Sequence, residues 1–361
     1  MHPYPHTLSI DFGASFTKIA YRSPCAVYTA PGRYDESAEV IALDAVILVP
    51  TLAIQTGSDA QPWAFGQTAA GLNPGPKMRV FNNWKAGLFN RDNSPGAASA
   101  SIIAQAYFRW LRQQLLEVPN LFLNDCKVRV MVPAFNDFKD LIKVLRQCFV
   151  HAGWDDERLE FGTEPHANAI GLLSGGRNVY IRGTKTGGNI DYGTTYGINN
   201  PYIQSARHQL LPGAQSKPFR ITIVDIGAFT TDIAILTFNP LVVGNSDGLQ
   251  EVAQKSFALG THSGLDEPLW VALGTRHKLS FANYNFTLRE QIKAALFAGE
   301  TYSVGGVVLG DMIDQTAIEQ LATDFAKRIW AKAVVNNKGN NLRLGSRLDD
   351  IVPFTVKLVT F

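Results

Sequence analysis

Ile10-Asp11-Phe12-Gly13-Ala14-Ser15-Phe16-Thr17-Lys18-Ile19-Ala20-Tyr21 returns in the second half of the chain as Val224-Asp225-Ile226-Gly227-Ala228-Phe229-Thr230-Thr231-Asp232-Ile233-Ala234-Ile235. Laid over each other without a gap, the two stretches share Asp, Gly, Ala, Thr, Ile and Ala at matching places. An internal repeat says that a fold is built twice. The reading is two similar α/β lobes, each offering one acidic glycine hairpin to a common cleft.

Leu8 and Ile10 alternate with polar neighbours before the turn, and Ile19 and Tyr21 resume after it, which predicts a β-hairpin. Glycine at 13 or 227 permits φ > 0 and removes the Cβ that would keep a ligand from the backbone. Successive turn N–H groups then form a concave anion site suited to phosphate. Asp11 and Asp225 repel phosphate, but each suits Mg²⁺ held through water, because Mg²⁺ keeps much of its hydration shell. A turn aspartate ordinarily satisfies only its own backbone. Its recurrence at equivalent places in both halves is what argues for phosphate binding.

At 361 residues the chain has room for two domains with separate cores. A hydrophobic content of 46% and a net charge of +2 describe a globular protein. Without a dense Lys/Arg run, neither nucleic acid nor an anionic membrane is favoured as a partner. No apolar run approaches the ~20 residues of a membrane helix. Residues 1–6 have neither a basic region nor an apolar core, so no signal peptide is evident. Cys25, Cys126 and Cys148 read as free thiols, which makes a cytoplasmic location the expectation.

Between the hairpins, 46–53 reads as a strand and 63–66 as a short return. Apolar residues at helical spacing (Ile103, Tyr107, Trp110, Leu111, Leu115) predict a helix over 102–116. A buried strand over 128–133 precedes a helix carrying Leu141, Leu145 and Phe149, which ends near Gly153 as its C-cap. A strand over 159–165 leads into a short helix from His166 to Leu173, the expected crossing between lobes. Residues 177–218 show no period; they are either a surface insertion with its own hairpins or a functional loop. Helices follow the second hairpin (219–238) around 266–273, 287–298 and 314–335, and 354–361 reads as a strand.

This order resembles the actin-like ATPase superfamily, and within it most closely the nucleotide-binding domain of heat-shock protein 70. The two hairpins look like the superfamily's phosphate motifs. Val132-Pro133-Ala134-Phe135, Arg146, Ala152-Gly153 and Thr163-Glu164-Pro165-His166-Ala167-Asn168-Ala169-Ile170 look like its connecting motif. Leu259-Gly260-Thr261-His262-Ser263-Gly264 and Glu290-Gln291-Ile292-Lys293 match two later stretches.

The resemblance implies a two-lobed, ribonuclease H-like α/β fold with duplicated βββαβα lobes. Lobe I would span 1–172, with an inserted subdomain at about 33–98. Lobe II would span 173–361, with an inserted loop at 177–218 and a helical subdomain at about 255–345. It implies ATP or ADP with Mg²⁺ as cofactors, slow hydrolysis coupled to lobe closure, and a client protein or self-association as partner. Asp11 and Asp225 would position Mg²⁺ waters, with Asp232 helping to hold the cation. Gly13, Ala14, Ser15, Gly227, Ala228, Phe229 and Thr230 would line the phosphates. Glu164 would orient the attacking water, and Lys85 would stabilise γ-phosphate charge. Glu290 and Lys293 would grip the nucleoside.

Several departures accompany the likeness. Ala14 replaces a phosphate-side hydroxyl, Phe297 replaces a hydroxyl near the adenine, and Lys85 lies one residue off the chaperone register. Lys18 fills the position of actin's phosphate-contacting lysine. The glycine-rich adenosine motif and the peptide-binding domain have no counterpart, so the resemblance implies a C-terminally truncated member. The alternatives are a filament-forming actin, which Lys18 and Thr230-Thr231-Asp232 favour, and a degenerate, non-hydrolysing nucleotide scaffold. A sugar or metabolite kinase would need a general-base aspartate facing a substrate pocket, and the sequence offers no convincing candidate.

Overall fold

The computed structural model describes residues 5–23, 27–30, 33–35, 39–59, 62–89, 95–134, 138–173, 180–183, 218–239, 249–277, 285–300, 303–304, 307–308 and 315–334. Phe135, Cys25, Gly175-Gly176, most of 177–218 and the expected strand at 354–361 lie outside them.

Both repeated stretches are antiparallel hairpins. His6–Phe12 pairs with Phe16–Arg22, and Phe219–Ile226 pairs with Thr231–Phe238. In the first hairpin Leu8, Ile10 and Phe12 are fully buried, and Ile19 and Tyr21 nearly so, as period-2 alternation requires. This hairpin forms the middle of a mixed sheet. The strands run in the order Leu159–Thr163, Cys126–Val132, His6–Phe12, Phe16–Arg22, Glu39–Ala42 and Tyr180–Gly183, with Val49–Pro50 also on Phe16–Arg22. The pairings on the His6–Phe12 side, out to Leu159–Thr163, are parallel; those from His6–Phe12 to Glu39–Ala42 are antiparallel. Tyr180–Gly183 adds in parallel to Glu39–Ala42. The chain therefore returns to this sheet after residue 173, where the sequence placed the start of a second lobe.

The long helix Pro95–Leu116 starts earlier than its apolar spacing suggested, and it packs with Phe138–His151 into one core with the sheet. Phe108 stacks on Phe149 at 3.8 Å, and Phe12 meets Phe108 at 5.0 Å. Gly153, at φ 89°, closes the second helix in the left-handed conformation that favours glycine. The single strand expected over 46–53 is instead broken. Val46 makes an isolated bridge to Leu43, Val49–Pro50 pairs with the first hairpin, and Ala53–Gln55 joins a small sheet with Trp63–Phe65 and Arg79–Phe81.

In the second half the hairpin carries a third strand, Leu249–Phe257. The helices Glu267–His277, Phe286–Phe297 and Gln315–Val334 follow, close to their expected positions, and share two apolar clusters. Asn285 caps Phe286–Phe297 by accepting from Leu288 N–H at 2.9 Å. The same side chain reaches Gly71 O and Asn73 Oδ1 at 3.4 Å, and Phe286 packs edge-on to Phe16 at 5.6 Å. The start of this helix thus seats on the first half of the chain.

Candidate nucleotide-binding cleft

The two turns face one cleft of about 300 Å³. The first half lines it with Asp11, Gly13, Ala14, Ser15, Lys18, Lys85 and Glu164, the second with Asp225, Gly227, Ala228, Phe229, Thr230, Glu290 and Lys293. Every expected site residue except Asp232 is on that wall. Asp232 is 1% exposed, and its Oδ1 accepts from Ala134 N–H at 2.6 Å. Its Oδ1 ties the second hairpin to the end of Cys126–Val132, and the residue stands behind the cleft lining.

The glycines act differently from the expectation. Neither Gly13 nor Gly227 adopts the left-handed region. Gly13 is required by proximity, since a Cβ there would lie 2.3 Å from Phe16 O, whereas at Gly227 it would meet only Thr230 O at 3.4 Å. The tight approach in the second half belongs to Gly260, whose Cβ would come within 2.4 Å of Ala228 C. From that segment Thr261 N–H donates to Gly227 O and His262 N–H to Ala228 O, so 260–262 braces the turn from behind.

Lys85 is buried at the base of the cleft, 3% exposed. Its Nζ donates to Phe12 O, lies 3.4 Å from Glu164 Oε1 and sits 4.9 Å above the Phe12 ring. Burial pushes the Glu164 carboxyl well above its usual range; Lys85 opposes that rise and Asp11 adds to it. A raised glutamate beside a buried lysine can hold or release a proton near neutral pH.

Asp225 is pushed up to about 6 by burial, then by Asp232 and Asp11, against the pull of Lys18 and Asn168. Asn168 Nδ2 donates to Asp225 Oδ2 at 2.8 Å across the two halves. Sequence reading missed this contact, although Asn168 lies four residues after Glu164 on one helix and so shares its face. Lys18 Nζ lies 3.2 Å from Asp11 Oδ2; burial works against its charge, but Asp11, Asp225 and Glu164 together outweigh it and raise its pKa.

At the other end of the cleft Lys293 bridges Glu290 at 2.7 Å and Asp266 at 3.4 Å. Asp266, another residue the sequence reading missed, stands in a single π-type turn, His262–Asp266. Burial pushes it up to about 6 against the pull of Lys293. Such turns are frequent at functional sites. Among the described residues no three His, Cys, Asp or Glu side chains are grouped so as to hold a metal ion. Cys126 and Cys148 are buried free thiols, and no helix of the described residues is long and apolar enough to cross a membrane. The sequence matches no protein-family model and no curated protein.

Proposed function

We propose that this chain is a two-lobed ATPase of the actin-like kind, nearest to the nucleotide-binding domain of heat-shock protein 70. It would hold a magnesium nucleoside triphosphate between its two hairpins and hydrolyse it slowly. The observation that carries the reading is the meeting of both repeated turns, with Asp11, Asp225, Glu164 and Lys85, on one cleft. The strand order supports it as well: three antiparallel strands followed by two parallel ones, with the first strand central, is what one βββαβα lobe requires.

The donor set fits Mg²⁺, which commonly takes one or two protein carboxylates and completes its shell with water and phosphate. Asp11 and Asp225 would be those two, acting through water, so no three-ligand protein cage is needed. Bound there, the cation supplies charge neutralisation to the phosphate oxygens. The chain supplies the rest: turn N–H groups for the phosphates, the Glu164 carboxyl to orient the attacking water, and the Lys85 ammonium against developing charge. A filament-forming ATPase is the second reading, favoured by Lys18 on the cleft wall; nucleotide-dependent pelleting tests it.

Calorimetric titration of Mg-ATP and Mg-GTP, beside Asp225→Ala, tests binding. Saturable heat in the parent that vanishes in the variant is the expected result. Glu164→Gln should keep that heat and lose release of inorganic phosphate. Absence of binding by the parent chain would remove the reading.

A further inference from the structure

The two repeated turns differ at one place for which phosphate binding gives no reason. Laid over each other, Ser15 of the first turn matches Phe229 of the second. A small hydroxyl suits a phosphate loop; a large apolar ring offers an anion no donor and takes up its space. Yet Phe229 stands on the cleft wall, partly buried. Its ring has a partner in the other half of the chain. Phe229 stacks on Phe89, with ring centroids 6.1 Å apart and planes 13° from parallel. Phe89 ends the short helix Lys85–Phe89 and packs on the core of the first half. It also turns toward the start of that helix, where Lys85 Nζ lies 5.6 Å from its ring centroid. Lys85 thus stands near two rings, Phe12 at 4.9 Å and Phe89.

The second turn is fixed to its own half, since Gly227 O and Ala228 O accept from Thr261 and His262 N–H. Phe229 is therefore carried by the second half, and Phe89 by the first. A stacked ring pair has a preferred separation and plane angle, and a cation is drawn to the face of a ring. In series these contacts run from the second turn through Phe229 and Phe89 to Lys85 and on to Glu164. We propose that Phe89 is a positioning residue: held by its stack on Phe229, it sets the place of the Lys85 ammonium according to where the second turn lies. The consequence for catalysis rests on the nucleotide reading above. Lys85 then meets developing phosphate charge only when the two halves are in register.

Acylation of Lys85 by acetic anhydride, followed by mass spectrometry on the full chain, tests the coupling without nucleotide. Phe229→Leu keeps the bulk and removes the ring. It should raise the Lys85 labelling rate roughly fivefold, and Phe229→Tyr should restore the parent rate. Phe89→Leu should raise the rate at least as much. The double variant should label no faster than Phe89→Leu, because rings acting in series are not additive. Phe286→Leu loosens a different contact between the halves, at Phe16, and should label as the parent does. In phosphate release from Mg-ATP, Phe229→Leu should lower kcat roughly fivefold and leave KM within about twofold. Parent-like labelling of Phe229→Leu overturns the proposal, as does an additive double variant or equally fast labelling of Phe286→Leu. An unchanged kcat in Phe229→Leu beside a hydrolysing parent overturns it too. Failure of the parent to bind Mg-ATP removes the nucleotide reading instead, and the labelling rates alone then decide the coupling.

Discussion

In the first hairpin Asp11 stands opposite Lys18; in the second, at the same register, Asp225 stands opposite Asp232. One turn therefore carries a carboxylate beside its own counter-ion, 3.2 Å away. The other carries two carboxylates, with only the neutral amide of Asn168 hydrogen-bonded to the first. Two copies of one local structure have opposite electrostatic needs. The second turn lacks positive charge and gains most from a cation, while the first supplies its own.

The sharpest way to break this comparison is to remove each aspartate in turn. Asp225→Ala should weaken Mg-nucleotide binding by more than about 100-fold, and Asp11→Ala by only about tenfold, because Lys18 remains to face the phosphates. Equal losses in calorimetry would erase the distinction. Next in size is Lys85→Met. Removing one partner of a buried pair leaves Glu164 without its counter-ion, which should cost about 3 kcal/mol in denaturant unfolding. Glu164→Gln together with Lys85→Met should recover most of that loss.

The glycines extend the contrast. Gly13→Ala must displace the Phe16 carbonyl and should cost about 2 kcal/mol. Gly227→Ala should stay within about 0.5 kcal/mol, since its Cβ has room. Matching melting temperatures for the two variants would contradict the geometry.

The contrast between the two turns also shows in pH. Asp225 ionises at about 6 in the folded chain, above the ordinary aspartate value of 3.8. At pH below 3.8 both folded and unfolded forms are protonated, and the stabilisation is fully present. As pH rises toward 6 only the unfolded chain releases its proton, so stability falls, and the loss is complete above about 6. With chelator present, unfolding free energy should drop by about 3 kcal/mol over that window from this group. Mg²⁺ with nucleotide should flatten or reverse the slope, because the cation favours the ionised carboxylate. A stability that rises through the window in chelator would refute the assigned direction.

Much of this was legible in the residues. The repeat located both hairpins, and Phe219–Ile226 with Thr231–Phe238 fills its expected span of 219–238. The helix around Tyr107, the Gly153 cap and the three later helices also followed from local spacing. Less legible were the elements whose pairing is set at a distance. Val46 to Ala53 has one continuous apolar pattern, yet its parts serve two sheets, because burial on both sides looks the same in sequence whichever strand lies alongside. Tyr180–Gly183, four residues in a stretch without period, became a strand through the exposed edge of Glu39–Ala42.

For the site, the sequence determined which residue types stand at each turn, because a hairpin fixes its register through short-range hydrogen bonds. It could not determine what lies across from those turns. Only tertiary packing aimed Asp232 at Ala134 N–H and brought Asn168 to Asp225 across the two halves, and, within the second half, closed Gly260 against the turn and buried Asp266 beside Lys293. Those contacts join residues from 27 to 98 positions apart. Their geometry depends on how the elements stack, which no local pattern of side chains encodes.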